Sequence, residues 1–174
     1  MTAHQAALEA LTRYFGYDSF RPGQQGIVEA LLAGRDVLGV MPTGAGKSVC
    51  YQIPAALSPG ATLVISPLIS LMRDQVDALN DLGMPAAFIN TTQTPDEQAM
   101  VFAQAAAGQI KLLYVAPERL ETGRFRDFAA RTPISLIAVD EAHCVSQWGQ
   151  DFRSSYLGIG DFIAGLPQRP PVRA

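Results

Sequence analysis

The sequence of 174 residues is short of lysine, cysteine and long apolar runs, and each shortage excludes a class of protein. Its only lysines are Lys47 and Lys111, and its net charge of −3 leaves no overall basic surface, so any contact with nucleic acid must be local. Cys50 and Cys144 lack metal-ligand spacing, which predicts core thiols in a reducing compartment and no zinc site. No run approaches the roughly 18 apolar residues of a membrane span, and no signal peptide is present, so we expect a cytoplasmic protein without a membrane partner.

A glycine-rich loop follows an apolar strand near the start of the chain. The loop reads Met41-Pro42-Thr43-Gly44-Ala45-Gly46-Lys47-Ser48. Its glycines let the backbone curl around an anion at the N-terminus of the next helix. Lys47 is suited to reach the β- and γ-phosphates of a nucleotide, and the Ser48 hydroxyl to ligate Mg²⁺. We therefore predict a nucleoside-triphosphate site, although Met41 replaces the usual first glycine. The alternative, a glycine turn with a solvated lysine, is disfavoured because lysine is so scarce.

Apolar strands alternate with helical segments along most of the chain. The pattern predicts helices at 5–15, 22–34, 47 onward with an interruption near Pro54, 68–82 and 94–107, and strands at 36–41, 62–66, 86–90, 111–116 and 134–139. Such alternation indicates an α/β fold with a mainly parallel sheet covered by helices on both faces, preceded by short N-terminal helices. We interpret residues 166–174 as a linker or a frayed end.

Two adjacent carboxylates, Asp140 and Glu141, follow the last of these strands. The carboxyl ends of parallel strands gather ligands at one edge, and a buried carboxylate pair needs a cation. With the glycine loop on a neighbouring strand, Asp140 is predicted to hold the Mg²⁺ shell through water and Glu141 to polarise an attacking water. His143 could link this site to a second ligand. The alternative is an ordinary acidic helix N-terminus.

Several segments together resemble the RecQ family of superfamily 2 DNA helicases. They are residues 41–48, 66–75, 116–119 and 140–149, and residues 15–24 resemble that family's adenine-recognition motif. The resemblance implies a RecA-like P-loop NTPase fold, ATP and Mg²⁺ as cofactors, and 3′ to 5′ unwinding of DNA with single-stranded regions or duplex junctions, in recombination and repair. It also implies N-terminal helices with the adenine motif at 1–35 and the first RecA-like lobe at 36–174.

Individual roles follow from the same resemblance. Tyr17 is expected to stack on adenine, while Arg21 and Gln24 hydrogen-bond the base or a phosphate; a packing role for Tyr17 is equally open.

The residues implied in DNA contact or coupling are Ser66, Ser70, Arg73, His143, Trp148, Phe152 and Arg153, with polar support from Asn90, Thr91 and Thr92. Trp148, Phe152 and Tyr156 also have helical spacing, so they could form a core stripe. Leu68, Leu71, Met72 and Val76 are predicted core residues. Gln150, Ser154 and Ser155 depart from the family pattern, which leaves the strength of coupling open.

The C-terminal residues 171–174 resemble the strand that leads into the family's Ser/Thr-Ala-Thr motif, which does not follow. We therefore expect a first lobe incomplete at its C-terminus, from a fragment or truncated product. Such a lobe should bind ATP weakly and hydrolyse it slowly, because an arginine finger contributes roughly 10³ to 10⁵ in rate. Two alternatives are an unrelated P-loop ATPase or kinase, and a non-catalytic nucleotide-binding or regulatory module.

Overall fold

The computed structural model describes residues 2–37, 47–66, 69–139, 159, 162–167 and 170–173. The helices are α1 (Ala3–Phe15), α2 (Gln24–Leu32), α3 (Val49–Leu57), α4 (Ile69–Asp81), α5 (Pro95–Ala106) and α6 (Gly123–Arg131), with a 3-10 helix at Pro117–Glu121. The strands are β1 (Ala61–Ile65), β2 (Ala86–Ile89), β3 (Leu112–Val115), β4 (Ile134–Val139) and β5 (Val172–Arg173).

The five strands form one sheet in the order β2-β3-β1-β4-β5, and every pairing is parallel. The predicted α/β fold with a parallel sheet is therefore confirmed. Strands 62–66, 86–90, 111–116 and 134–139 were each placed to within one residue at either end. In a parallel sheet the carboxyl ends of all strands lie at the same edge, which is where ligands bind in such folds.

Val37 is the described residue that precedes the glycine loop, and it lies beside β5. It forms a parallel bridge with Arg173, and its N–H donates to the carbonyl of Val172 at 2.8 Å. Because β5 in turn pairs with β4, one strand separates Val37 from β4. We expected the strand before the glycine loop to lie directly beside the strand before Asp140, which is β4. At Val37 this expectation is wrong. The interpretation of residues 166–174 as a linker is also wrong at Val172 and Arg173, which form β5.

Helices cover both faces of the sheet. Along β1, Leu63 and Ile65 pack in one buried cluster with Phe125 of α6, whereas Val64 packs in another with Tyr51 of α3. Every residue of β1 is buried, as expected for a strand covered on both sides. A third cluster joins α1 and α2 to α3. The N-terminal helices therefore rest directly on the helix that follows the glycine loop.

Helix boundaries follow capping chemistry in most places. Thr94 caps α5 in a reciprocal box with Glu97, near the predicted start of this helix, and Thr2 caps α1 in the same way with Gln5. The predicted interruption near Pro54 is wrong, because α3 continues to Leu57. Burial of the residues around Pro54 outweighs the loss of one backbone hydrogen bond.

The 3-10 helix and α6 were not predicted. Residues 116–119 entered the sequence analysis only through their resemblance to the RecQ family. The available signal was Thr122, which caps α6 by accepting from the Phe125 N–H, together with Phe125 and Phe128 at helical spacing. Both phenylalanines are buried, so packing against the sheet fixes this helix.

Gly60 lies where β1 begins and passes very close to the start of β4. A Cβ atom at this position would come within 2.7 Å of both the Pro133 carbonyl oxygen and the Ser135 Oγ. We expect Gly60→Ala to lower the free energy of unfolding by about 1–3 kcal/mol, because the tight packing cannot accept a methyl group. Urea unfolding followed by circular dichroism measures the change.

Gly26→Ala is the matched control, because Gly26 is exposed on α2 with open space around it. Alanine there should stabilise the chain by up to about 1 kcal/mol through helix propensity. Equal effects of the two substitutions would contradict the close approach at Gly60.

Candidate functional site

Many of the predicted site residues lie outside the described residues. They are Met41, Pro42, Thr43, Gly44, Ala45, Gly46, Asp140, Glu141, His143, Trp148, Phe152 and Arg153. The same holds for Leu68, Cys144, Gln150, Ser154, Ser155 and Tyr156. Their predicted roles stay predictions. The described part of the candidate site consists of the start of α3, the segment between α1 and α2, and the ends of the strands.

Lys47 and Ser48 stand at the N-terminus of α3, and both are half-buried. The Ser48 carbonyl accepts from the Gln52 N–H at 2.9 Å, so Ser48 is the N-cap of α3. The Ser48 side chain makes no capping hydrogen bond to α3. A helix N-terminus carries partial positive charge, and a hydroxyl that does not cap it is a suitable oxygen ligand for Mg²⁺. The start of α3 therefore fits a metal-bound phosphate.

Two buried tyrosines fix α3 against the sheet. The hydroxyls of Tyr51 on α3 and Tyr114 on β3 are 3.3 Å apart, and both side chains are almost completely buried. On another side of α3, Val49 and Ile53 pack against α1 and α2. These contacts hold the first turn of α3 in place. The tyrosine pair was not predicted, because residues 63 positions apart give no local signal.

Cys50, in the first turn of α3, is fully buried, which confirms the prediction of a core thiol. Burial raises the pKa of this thiol, and the nearby Arg173 guanidinium offsets part of that rise. Arg173 is itself buried. A positive charge therefore lies close to the Cys50 thiol in the first turn of α3.

Tyr17 follows Gly16, which ends α1 in the left-handed conformation with φ of 75°. The Thr12 hydroxyl donates to the Tyr17 carbonyl at 2.9 Å, so the backbone of this turn is anchored to α1. The Tyr17 side chain is 51% exposed. Such exposure argues against the packing alternative and leaves the ring open to stack on a flat ligand.

Arg21 and Gln24 bind each other at the start of α2. The Arg21 N–H donates to the Gln24 Oε1 at 2.8 Å, and the Gln24 N–H donates to the Arg21 carbonyl at 3.1 Å. The Gln24 side chain is buried, whereas Arg21 is exposed. The segment from Tyr17 to Gln24 is thus held in shape at both ends, and its contact with adenine remains a prediction.

The other predicted contacts lie on and beside α4. Ser70 and Arg73 are both exposed on α4, and the Arg73 guanidinium carbon is 5.8 Å from the ring centre of Phe88. Ser66 is only 1% exposed, so the structure does not bring its side chain to the same surface. Met72 and Val76 are buried as predicted. The prediction that Leu71 is a core residue is wrong, because Leu71 is 44% exposed beside Ser70.

The turn after β2 is closed by its own side chains. Asn90 is buried, and its Oδ1 accepts from the Thr92 N–H at 2.9 Å. Gln98 of α5 donates from Nε2 to the Asn90 carbonyl at 2.9 Å. Thr91 and Thr92 are exposed. Of the three predicted polar residues, only these two threonines are therefore accessible to a ligand.

Three residues on adjacent strands lie at one level of the sheet. Arg173 of β5 pairs with Ala138 of β4 on one side and with Val37 on the other. Parallel strands are spaced by about 4.8 Å, so Val37 and Ala138 are about 10 Å apart across the sheet. Val37 precedes the glycine loop and Ala138 precedes the acidic pair. Both pairings with Arg173 are parallel, so the chain runs in the same direction at the two positions.

Among the described residues, no three His, Cys, Asp or Glu side chains cluster as metal ligands. The described helices include none long and apolar enough to cross a membrane.

Comparison with known proteins agrees with this geometry. Residues 21–171 match the DEAD/DEAH box helicase family, and the match takes in most of the chain. The chain belongs to the DEAD/DEAH box helicase family. Within this family it is similar to the ATP-dependent DNA helicase RecQ of Haemophilus influenzae, at 51% identity over 94% of the chain, and to RecQ of Bacillus subtilis, at 46% identity over 97%.

The chain spans about a quarter of the length of these relatives, 26% of the H. influenzae protein and 29% of the B. subtilis protein. Among solved structures, it resembles the DUF1998 helicase MrfA bound to DNA and AMPPNP, with a TM-score of 0.76 and 18% identity over 99% of this chain and 26% of that one. A hypothetical ATP-dependent RNA helicase from Sulfolobus tokodaii gives a TM-score of 0.72 and 19% identity over 97% and 49% of the two chains. These likenesses confirm the fold of a helicase lobe.

The pairing of Arg21 with Gln24 can be tested by substitution. In this helicase lobe, Gln24→Ala removes the acceptor of the Arg21 N–H, and we expect the free energy of unfolding to fall by about 1–3 kcal/mol. Gln25→Ala is the control, because Gln25 is the exposed neighbour on α2 and its loss should cost less than about 0.5 kcal/mol. Urea unfolding compares them, and equal values would contradict a structural role for Gln24.

Proposed function

We propose that this chain is the ATP-binding lobe of a RecQ-type DNA helicase, and that it binds Mg²⁺–ATP at the carboxyl edge of its sheet. The observation that carries the proposal is the arrangement of α3, Val37 and Ala138. Lys47 and Ser48 immediately precede α3, while Val37 and Ala138 lie level on strands that run in the same direction. We infer that the glycine loop after Val37 and the acidic pair after Ala138 meet at one edge.

The phosphate end of the site follows from this arrangement. The backbone amides of residues 44–48 and the Lys47 amine would bind the phosphates, and the Ser48 hydroxyl would ligate Mg²⁺. When bound, Mg²⁺ supplies charge neutralisation at the β- and γ-phosphates. Asp140 would hold the water shell of the metal, and Glu141 would orient and deprotonate the attacking water.

The adenine end is proposed for the segment between α1 and α2. Two observations support this proposal. The exposed Tyr17 ring lies on a turn that is anchored to α1, and Arg21, four residues later in the sequence, is also exposed. The Gln24 Oε1 accepts from the Arg21 N–H, and the same side chain carries an amide N–H₂ of the kind that can donate to a base. We propose that Gln24 both shapes the segment and contacts the base.

The DNA contact is proposed for the first turns of α4 and for residues 143–153. Ser70 and Arg73 are exposed there, and the Arg73 guanidinium lies over Phe88. Asp74 and Asp77 are also exposed on α4, so the favourable contact with a phosphate is confined to its beginning. His143, Trp148, Phe152 and Arg153 would add stacking and coupling.

Unwinding is proposed for a longer polypeptide, because the curated RecQ relatives are about four times as long as this chain. Taken alone, the 174 residues are expected to bind Mg²⁺–ATP and to hydrolyse it slowly. Residues from a second lobe commonly complete the charge stabilisation of phosphoryl transfer.

Lys47→Ala tests the nucleotide site. Loss of a charge-assisted contact to phosphate should weaken binding of Mg²⁺–ATP by about 10- to 100-fold, measured with a fluorescent ATP analogue on the 174-residue chain. Lys111→Ala is the control, because it removes the other lysine. The Lys111 Nζ donates to the Ser58 carbonyl at 2.8 Å, at the C-terminal end of α3. Unchanged binding of Mg²⁺–ATP by Lys47→Ala would favour the alternative of a non-catalytic module in which Lys47 does not bind the phosphates.

Arg73→Ala tests the DNA contact. If Arg73 neutralises one phosphate, its loss should weaken binding of single-stranded DNA at low salt and reduce the slope of log K against log salt by about 0.7. Arg13→Ala is a matched control, because Arg13 is also exposed and lies 5.2 Å from the ring centre of Tyr14. Fluorescence anisotropy of a labelled oligonucleotide gives both slopes, and identical slopes would remove Arg73 from the DNA surface.

A further inference from the structure

Tyr114 of β3 has an aromatic neighbour on each side, on the face of the sheet that α3 covers. Its hydroxyl is 3.3 Å from the hydroxyl of Tyr51 on α3. On the adjacent strand β2, its register partner is Phe88, which packs against the buried cluster that contains both tyrosines. Neighbouring strands are about 4.8 Å apart, and register partners point to the same face. Tyr114 therefore joins Tyr51 to Phe88.

The same series of contacts continues to the surface of α4. The Arg73 guanidinium carbon is 5.8 Å from the ring centre of Phe88, which is within the distance of a cation–π interaction. The residue before Arg73, Met72, is fully buried in the cluster that contains the two tyrosines. Four side chains thus form one row from α4 to α3: Arg73, Phe88, Tyr114 and Tyr51.

The two ends of this row lie in the two proposed binding sites. Tyr51 is four residues after Lys47, in the helix whose N-terminus is proposed to bind phosphate, and Arg73 is proposed to contact DNA. Side chains of α3 and α4 share the cluster on this face of the sheet, whereas those of α5 and α6 pack in the cluster on the other face. A displacement of α3 can therefore reach α4 through packed side chains on one face.

The hydroxyl pair is the contact in this row that responds most to a small displacement. Apolar contacts have no preferred direction, whereas a hydrogen bond weakens steeply with distance and angle. Bonds between hydroxyls are most often about 2.7–2.8 Å long, so the pair at 3.3 Å is stretched. A shift of Tyr51 by about 0.5 Å toward the sheet would bring the pair into the usual range.

We propose that Tyr114 is a positioning residue that couples the nucleotide site at the start of α3 to the DNA contact on α4. Nucleotide that moves the first turn of α3 changes the hydroxyl contact, and Tyr114 transmits the change through Phe88 to Arg73. By thermodynamic reciprocity, DNA on α4 changes the affinity for nucleotide by the same factor. The coupling rests on the proposed function, whereas the contact between the hydroxyls does not.

Binding of single-stranded DNA with and without nucleotide tests the coupling. Saturating Mg²⁺ and a non-hydrolysable ATP analogue should change the Kd of a labelled oligonucleotide for the native chain by about fivefold or more. In Tyr114→Phe this factor should fall below about twofold, while the affinity for each ligand alone stays within about twofold of the native value. An unchanged factor in Tyr114→Phe, or a native chain whose Kd does not respond to nucleotide, would overturn the proposal.

Tyr14→Phe is the matched control for Tyr114→Phe. It removes a tyrosine hydroxyl from a half-buried position on α1, outside the row, and should keep the native factor. A purely structural role of Tyr114 would change stability and leave the factor alone, so the ratio of the two Kd values distinguishes the two roles.

The middle of the row is tested at Phe88. Phe88→Leu keeps an apolar side chain but removes the ring between Tyr114 and Arg73, so it should lower the same factor. Phe102→Leu is the control, because Phe102 is also half-buried and its ring centre is 5.5 Å from the Arg124 guanidinium carbon, on the opposite face of the sheet. Equal loss of the factor in the two variants would contradict transmission through the row.

Urea unfolding of the ligand-free chain separates this proposal from the proposed function. Tyr51→Phe should raise the equilibrium constant of unfolding by about 3- to 10-fold in the native chain and by less than about twofold in Tyr114→Phe, where its hydroxyl partner is already removed. Equal effects in the two backgrounds would reject the hydroxyl contact and the coupling with it.

The binding measurements complete the separation. If Lys47→Ala weakens nucleotide binding and Arg73→Ala weakens DNA binding, but nucleotide leaves the native Kd for DNA unchanged, only the coupling is rejected. Unchanged nucleotide binding by Lys47→Ala would reject the nucleotide site together with the coupling that rests on it, and would leave the hydroxyl contact in place.

Discussion

The packing of the first turn of α3 is the constraint on which the rest of the candidate site depends. This turn is held by the hydroxyl pair of Tyr51 and Tyr114 on the sheet side, and by Val49 and Ile53 against the N-terminal helices. Lys47 and Ser48 immediately precede these anchors. Because packed interiors resist small displacements, the helix N-terminus is presented at a fixed height above the sheet. The proposed phosphate, adenine and metal contacts all take their positions from it.

The sheet supplies the second half of that arrangement. Its strands are all parallel, and β5 lies between Val37 and β4, so the two predicted halves of the site are separated by one strand. Val37 and Ala138, the described residues that precede the two segments, are therefore about 10 Å apart. The residue that occupies the intervening strand at this level is Arg173, a buried cation. The same topology thus places a permanent positive charge between Val37 and Ala138.

Much of the fold could be predicted from local patterns, whereas contacts between distant segments could not. The capping box of Thr94 and Glu97 located the start of α5, and apolar runs located β1 to β4 because buried parallel strands have no polar alternation. β5 is only two residues long, and its proline-rich surroundings indicated a linker, whereas the resemblance of residues 171–174 to a strand of the RecQ family predicted it correctly. The tyrosine pair and the burial of Arg173 arise from tertiary packing alone. Leu71 shows the converse, an apolar residue that the helical period turns outward.

A structure of the chain with Mg²⁺ and a non-hydrolysable ATP analogue tests the central claim most directly. We expect one metal ion to lie within about 2.1 Å of the Ser48 Oγ and to be linked through a water to Asp140, with the Lys47 amine on the β- and γ-phosphates. A nucleotide bound elsewhere, or Lys47 and Asp140 at opposite edges of the sheet, would contradict it.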